Sequence, residues 1–162
     1  MRSKLASQLN ALVAETGAKT VAAYLPFGTE PDIGGFLEEA TDADFELIMP
    51  VSLRDGSLEW VVFSGAKAPG IFGFDEPVGE PAQLTSADLI LVPASAADQT
   101  GARLGKGKGF YDRALADLSS GAKTAAIVYD QELLERVPTE PHDRPVDFVV
   151  TPERTVPAGQ RP

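Results

Sequence analysis

Asp88-Leu89-Ile90-Leu91-Val92-Pro93 is followed, seven residues on, by Gly101-Ala102-Arg103-Leu104-Gly105-Lys106-Gly107-Lys108-Gly109-Phe110-Tyr111-Asp112-Arg113. The first stretch is a short, unbroken apolar run, the pattern of a strand buried on both faces. The second holds glycines at 105, 107 and 109, spaced by two, with Gly101 ahead of them. Glycine frees the backbone to turn its N–H groups into a concave anion cradle. Arg103, Lys106 and Lys108 lie within the run and Arg113 just beyond it, supplying the charge that a polyphosphate needs. Tyr111 to Leu118 then reads as a helix. Strand, glycine-rich basic loop and helix together form the layout of a phosphate site near a helix N-terminus. The loop contains no Gly-Lys-Ser/Thr and its glycines are too evenly spaced for G-x-G-x-x-G, so it is neither a Walker A loop nor a dinucleotide fingerprint.

The elements on either side extend this unit into a fold. Leu5, Leu9, Leu12 and Val13 form one helical stripe that Gly17 ends. Lys19 to Leu25, Phe45 to Met49, Lys123 to Tyr129 and Val146 to Val150 read as strands. Asp32 can cap a helix running to about Ala40. Arg54-Asp55-Gly56 is a turn into a strand at Leu58 to Phe63. Residues 64–87, with Pro69, Pro77 and Pro81, read as mostly irregular, and Gln131 to Arg136 as a short helix. Apolar strands alternating with helices predict a three-layer α/β fold, a mostly parallel, Rossmann-like sheet with helices on both faces. Ligands of such sheets bind beyond the carboxyl ends of the strands. The loops after Leu25, Met49, Val92 and Tyr129 therefore converge on one crevice.

Composition narrows the function. The 162 residues carry 14 basic and 24 acidic side chains, a net charge of −10. Residues 101–113 hold four cations and one anion, a basic island in an acidic chain. Nucleic acid is not expected as a partner, because phosphate neutralisation needs a broad basic face. Zero cysteines exclude disulfides and thiolate chemistry, and one histidine excludes a multi-histidine metal site. No apolar run reaches membrane-spanning length and no signal-peptide core follows Met1-Arg2-Ser3-Lys4, so a cytoplasmic protein with no membrane partner is expected. A monomer is the expected state.

The wording Val92-Pro93 … Gly101-x-Arg103-Leu104-Gly105-x-Gly107-x-Gly109-Phe110-Tyr111-Asp112-Arg113 closely resembles the signature of the 5-formyltetrahydrofolate cyclo-ligase (methenyltetrahydrofolate synthetase) family. Tyr24-Leu25 with Glu30, Met49-Pro50, Phe72-Gly73-x-x-Glu76-Pro77, Val137-Pro138, His142-Asp143-x-Pro145-Val146-Asp147 and Val150-Thr151-Pro152 resemble further segments in the same order. The resemblance spans about residues 20–152. It implies a cyclo-ligase-type fold in one catalytic domain over 1–152, followed by a flexible tail at 153–162. It also implies ATP- and magnesium-dependent closure of 5-formyltetrahydrofolate, a small-molecule substrate, to 5,10-methenyltetrahydrofolate.

Residue by residue, the resemblance gives the nucleotide to Arg103, Leu104, Gly105, Lys106, Gly107, Lys108, Gly109, Phe110 and Tyr111. Arg103, Lys106 and Tyr111 are the expected catalytic residues, and Glu30, Lys106, Tyr111 and Trp60 the expected folate contacts. Asp112 and Asp143 are the expected magnesium ligands, with Asp147 a competitor of Asp143 that spacing leaves open. Each has a plainer reading: Asp112 as helix-dipole compensation, Tyr111 as core packing with Leu115 and Leu118, Trp60 as strand core, Glu30 as a solvated loop acid. Family members usually carry an additional N-terminal segment whose basic residues reach the ATP phosphates. Arg2 and Lys4 are the residues here that would take that part, and a relative with weakened catalysis is the alternative. A sugar-phosphate or CoA-handling enzyme is a third reading, one that needs a single phosphate cradle and not both aspartates.

Overall fold

The computed structural model describes residues 2–105, 110–116, 118, 121–140 and 144–158, without the side chains of 2, 3 and 110. In chain order the elements are α1 (Arg2–Thr16), β1 (Thr20–Ala22), α2 (Gly34–Ala40), β2 (Glu46–Ser52), β3 (Leu58–Val62), β4 (Lys67–Pro69), β5 (Asp75–Pro77), β6 (Pro81–Ala82), β7 (Leu89–Pro93), β8 (Ala96–Ala97), β9 (Arg103–Leu104), α3 (Phe110–Ala116), β10 (Lys123–Ile127), β11 (Phe148–Val150) and β12 (Thr155–Pro157). Single 3₁₀ turns lie at Leu84–Ser86 and Asp130–Glu132.

Eight strands form the main sheet in the order β12-β11-β10-β7-β1-β2-β3-β6. The five from β11 to β2 are parallel, β12 and β3 run antiparallel to them at the flanks, and β6 pairs antiparallel with β3. The apolar run 89–93 becomes β7 near the middle, with all five residues buried, as a strand covered on both faces must be.

Alternation along the strands divides the core between two faces. Val21, Leu47, Met49, Leu89, Leu91 and Ile127 face α1 and α2, whose Leu5, Leu9, Leu12, Phe36 and Leu37 complete that layer. Ala22, Ile48, Ile90 and Val92 face the other way, toward Leu115 and Leu118 beside α3. The three-layer α/β arrangement with helices on both sides is thus what the sequence pattern predicts. α1 presents its stripe to the core and stops where Gly17 takes a φ of 67°. The N-cap position of α2 is Ile33, without a side-chain cap, rather than Asp32, whose Oδ1 accepts from the Gly34 N–H at 2.8 Å just ahead of the helix.

Several expectations are corrected. Residues 64–87 are mostly irregular, as expected, but they also carry short strands: β4 and β5 form a hairpin, and β6 joins the sheet edge beside β3. The helix expected over 131–136 is one 3₁₀ turn at 130–132. The tail expected from 153 contains β12, paired antiparallel with β11, so residues 155–157 are ordered sheet. Lys4 does not face the crevice at all. Its Nζ pairs with Glu153 Oε1 at 2.7 Å, tying α1 to the segment before β12.

Candidate active site

In the parallel part of the sheet the carboxyl ends of β7, β1 and β2 lie side by side, and a cavity of about 500 Å³ opens there. Pro93 lines it from β7, Tyr24 and Leu25 from the segment after β1, and Pro50 and Ser52 from β2. The wall is completed by residues 27–30, by the β4–β5 hairpin, and by Arg103, Gly105, Tyr111 and Asp112. The segments after β1, β2 and β7 thus converge as the strand order demands, whereas no described residue of the loop after Tyr129 lines the cavity.

Arg103 sits on β9, which pairs with β8 in a two-stranded ribbon (Ala97 opposite Arg103). The ribbon is anchored by Asp98, which sequence reasoning missed. Asp98 Oδ1 accepts from the N–H of Thr100 (2.9 Å), the hydroxyl of Thr100 (2.6 Å) and the N–H of Ala102 (3.3 Å). Its Oδ2 accepts from the Val137 N–H at 2.8 Å. Burial alone pushes the Asp98 carboxyl up, but these hydrogen bonds outweigh it and hold it below the usual carboxylate range. Gly101 closes the turn with a φ of 90°, and a Cβ there would lie 2.4 Å from the Val146 carbonyl oxygen, so the position needs glycine.

The Arg103 side chain is only 7% exposed. One arm of its guanidinium, Nη2, donates to Asp112 Oδ1 at 2.5 Å, while Nε is buried with no partner among the described residues. The Tyr111 hydroxyl, at the start of α3, is also buried and without a partner among the described residues. Burial foremost, then the charge of Glu30, pushes its ionisation up, so it stays a neutral donor. Two buried donors left unsatisfied on the lining of one cavity are groups awaiting a ligand.

Glu30 lines the same cavity. Its Oε1 accepts from the Phe27 N–H at 2.8 Å, which folds the loop back on itself. Beneath it the Tyr24 hydroxyl donates to the Pro31 carbonyl oxygen at 3.2 Å. Of the expected residues, Arg103, Gly105, Tyr111, Asp112 and Glu30 are therefore brought together.

Others are not. Trp60 is buried behind Tyr111, edge-on with ring centroids 6.5 Å apart, and does not line the cavity. The aromatic wall comes instead from Phe27, Phe72 and Phe74, with centroids 4.5 Å (Phe27 to Phe74) and 6.4 Å (Phe72 to Phe74) apart. Leu104 is 48% exposed, and its carbonyl accepts from Ser95 within the ribbon. Asp147 Oδ2 accepts from the Thr124 N–H at 2.9 Å, and Asp147 is not among the cavity-lining residues. Lys106, Gly107, Lys108, Gly109 and Asp143 lie outside the described residues, as do the side chains of Arg2 and Phe110.

The remaining surprise is Glu76, 6% exposed and part of the cavity lining. The Ser52 N–H reaches both its oxygens, at 3.3 and 3.1 Å, and burial raises its pKa. Among the described lining residues Glu30, Asp75, Glu76 and Asp112 face a single cation, Arg103. Among the described residues no three His, Cys, Asp or Glu side chains gather as a metal site.

The cavity and its residues can be set beside known proteins. The family model for the 5-formyltetrahydrofolate cyclo-ligase family matches residues 1–152. The 5-formyltetrahydrofolate cyclo-ligase of Mycolicibacterium smegmatis is 40% identical over 147 residues, covering 85% of this chain and 76% of that one. The protein of the same name from Escherichia coli K12 is 32% identical over 146 residues, covering 85% and 80%. The solved 5,10-methenyltetrahydrofolate synthetase of Aquifex aeolicus superposes with a TM-score of 0.83 at 31% identity, covering 99% of this chain and 82% of that one. The Mycoplasma pneumoniae synthetase shares the fold, with a TM-score of 0.73 at 21% identity. A family-model match over residues 1–152, nearly the whole chain, means that the chain is an enzyme of the 5-formyltetrahydrofolate cyclo-ligase family.

Proposed function

We propose that this enzyme closes 5-formyltetrahydrofolate to 5,10-methenyltetrahydrofolate, consuming ATP and releasing ADP and phosphate. The observation that carries the reading is the pair of buried, unpartnered donors, Arg103 Nε and Tyr111 OH, facing one cavity with Glu30. In this reaction the formyl oxygen accepts the γ-phosphoryl group. N10 attacks the activated formyl carbon, loses its proton, and phosphate departs with the former formyl oxygen. Phosphoryl transfer asks mainly for positioning and charge neutralisation. Arg103 serves the phosphoryl group, Tyr111 donates a hydrogen bond from a dry site, and Glu30 orients the formyl end of the folate. The amides and lysines of 106–109 complete the cradle in this reading. The cavity's apolar wall of Phe27, Phe72 and Phe74 suits a flat bicyclic ring. The enzyme acts as a cytoplasmic monomer on small molecules, without nucleic acid or membrane.

Magnesium, when bound, screens the triphosphate charge. Asp112 is the described residue that fits it, being 66% exposed at the cavity edge, and Asp143 is the second ligand carried from the family. Asp112→Asn keeps the shape but weakens attraction to a hard dication. It is expected to raise the half-saturating magnesium concentration by about tenfold or more. A magnesium titration of the initial rate checks this, and an unchanged curve would leave Asp112 as the partner of Arg103 alone.

The direct test is the appearance of methenyltetrahydrofolate absorbance from 5-formyltetrahydrofolate. Turnover is expected only with ATP and magnesium together, and none under any condition would remove the reading. The same assay decides the second reading, a nucleotide-binding relative with weakened catalysis, which the pairing of Lys4 with Glu153 favours. That reading expects ATP binding without appreciable turnover.

Glu30→Gln tests the folate end. Glutamine retains the oxygen that accepts from Phe27, so the loop persists while the charge is lost. The expected result is a fall of about tenfold or more in both kcat and kcat/KM for 5-formyltetrahydrofolate, with ATP affinity unchanged. Wild-type kinetics in this variant would place Glu30 outside the reaction.

A further inference from the structure

We propose that Glu76 recognises the donor edge of the substrate's pterin ring, its carboxylate accepting from the 2-amino group and N3–H; this rests on the cyclo-ligase reading above. Glu76 lies in β5, and the β4–β5 hairpin brings it against the end of β2, where Ser52 provides the N–H that touches both carboxylate oxygens. An ionised carboxylate has about four acceptor sites, so the N–H and side chain of Ser52 together leave some of them open. Among the described residues no cation pairs with it. A buried carboxylate is costly unless it is fully hydrogen-bonded. A purely packing role would be filled at no such cost by an apolar side chain.

The setting fixes what the missing partner must offer. Gly70, in the same hairpin, comes so close that a Cβ there would lie 2.7 Å from Glu76 Cγ, so the side chain has little room to turn away. The cavity is the open side, and its rings at Phe27, Phe72 and Phe74 suit a planar ligand. A planar ligand with two adjacent donors on one edge meets both oxygens of a carboxylate as a fork meets a fork. The pyrimidine half of a pterin presents such an edge.

The two ends of the cavity are also chemically opposite. The chain reaches Arg103 from the end of β7, and Glu76 adjoins the end of β2; with β1 between them, those two strands lie two spacings apart, about 10 Å. The basic end serves the phosphoryl group and the acidic end the donor edge. A folate is thereby held in one orientation, with its formyl-bearing nitrogen toward Arg103 and Glu30.

Equilibrium binding of 5-formyltetrahydrofolate, measured without ATP so that no turnover occurs, tests this. Glu76→Gln replaces one acceptor with a donor aimed at the ligand's own donors. It is expected to weaken folate binding by about 10- to 100-fold while ATP affinity stays unchanged. The wild-type enzyme is expected to bind the 2-desamino-2-methyl analogue of the same folate more weakly by a similar factor. The variant should discriminate between the two ligands far less. Wild-type folate affinity in Glu76→Gln, or equal losses for folate and ATP, would overturn the assignment. If the variant does not fold, the analogue still decides: equal affinity of the wild-type enzyme for the two ligands overturns it. A wild-type enzyme that binds neither folate overturns the cyclo-ligase reading itself, and this inference with it.

Discussion

Arg103→Ala is expected to weaken ATP binding by about 10- to 100-fold, the range of a lost charge-assisted hydrogen bond in a largely water-free site. The arginine is 7% exposed and presents an unpartnered Nε, so its contact with an anion is little screened by solvent. Arg103→Lys is expected to recover only part of the loss. A lysine keeps the charge but cannot hold Asp112 and a phosphate oxygen with one planar fork. Titration of the three proteins with ATP, each at fixed ionic strength, gives the comparison. Equal affinities for wild type and Arg103→Ala would move the nucleotide away from this end of the cavity.

The second large effect concerns stability. Asp98→Ala removes the acceptor for the N–H groups of Thr100, Ala102 and Val137 and for the Thr100 hydroxyl. Ala102 and Val137 are buried, at 5% and 4% exposure, so water replaces little of what is lost. Two buried donors left without partners cost about 3 kcal/mol together, which lowers Tm by about 6–12 °C in a chain of this size. Thermal unfolding at neutral pH measures it, and a Tm within a degree or two of wild type would show that the turn does not depend on Asp98. The pH dependence has a definite sign. Because the folded carboxyl titrates below its unfolded value, its contribution is fully present above about pH 4 and is lost as the pH falls toward the folded value. Asp98→Asn removes that acid-dependent part.

The parallel core was legible in the chain because its strands are unbroken apolar runs and α1 carries a clean helical stripe. Nothing comparable marks β4, β5, β6 or β12. Lys-Ala-Pro, Asp-Glu-Pro, Pro-Ala and Thr-Val-Pro show no usable alternation, and they become strands only because a neighbouring strand offers hydrogen bonds. The same limit applies to the site. Arg103, Glu30, Tyr111 and Asp112 could be read from a local pattern and a family resemblance. Trp60 could not be placed, because in a half-covered strand its side chain could face either the cavity or the layer beneath. Glu76 became visible only when the hairpin folded back on β2. Asp98 looked like an ordinary turn acid, since one of its partners, Val137, lies 39 residues away.

The short outer strands also bear on how the protein behaves at high concentration. A sheet open at both ends offers rows of unpaired backbone groups to any extended peptide, and such rows seed edge-to-edge association. Here one border strand is the dipeptide Pro81–Ala82 and the other is Thr155–Pro157. Each includes a residue with no N–H to give, and each is too brief to template a further strand. The sheet thus ends in two poor surfaces for growth, a built-in guard against aggregation at its borders.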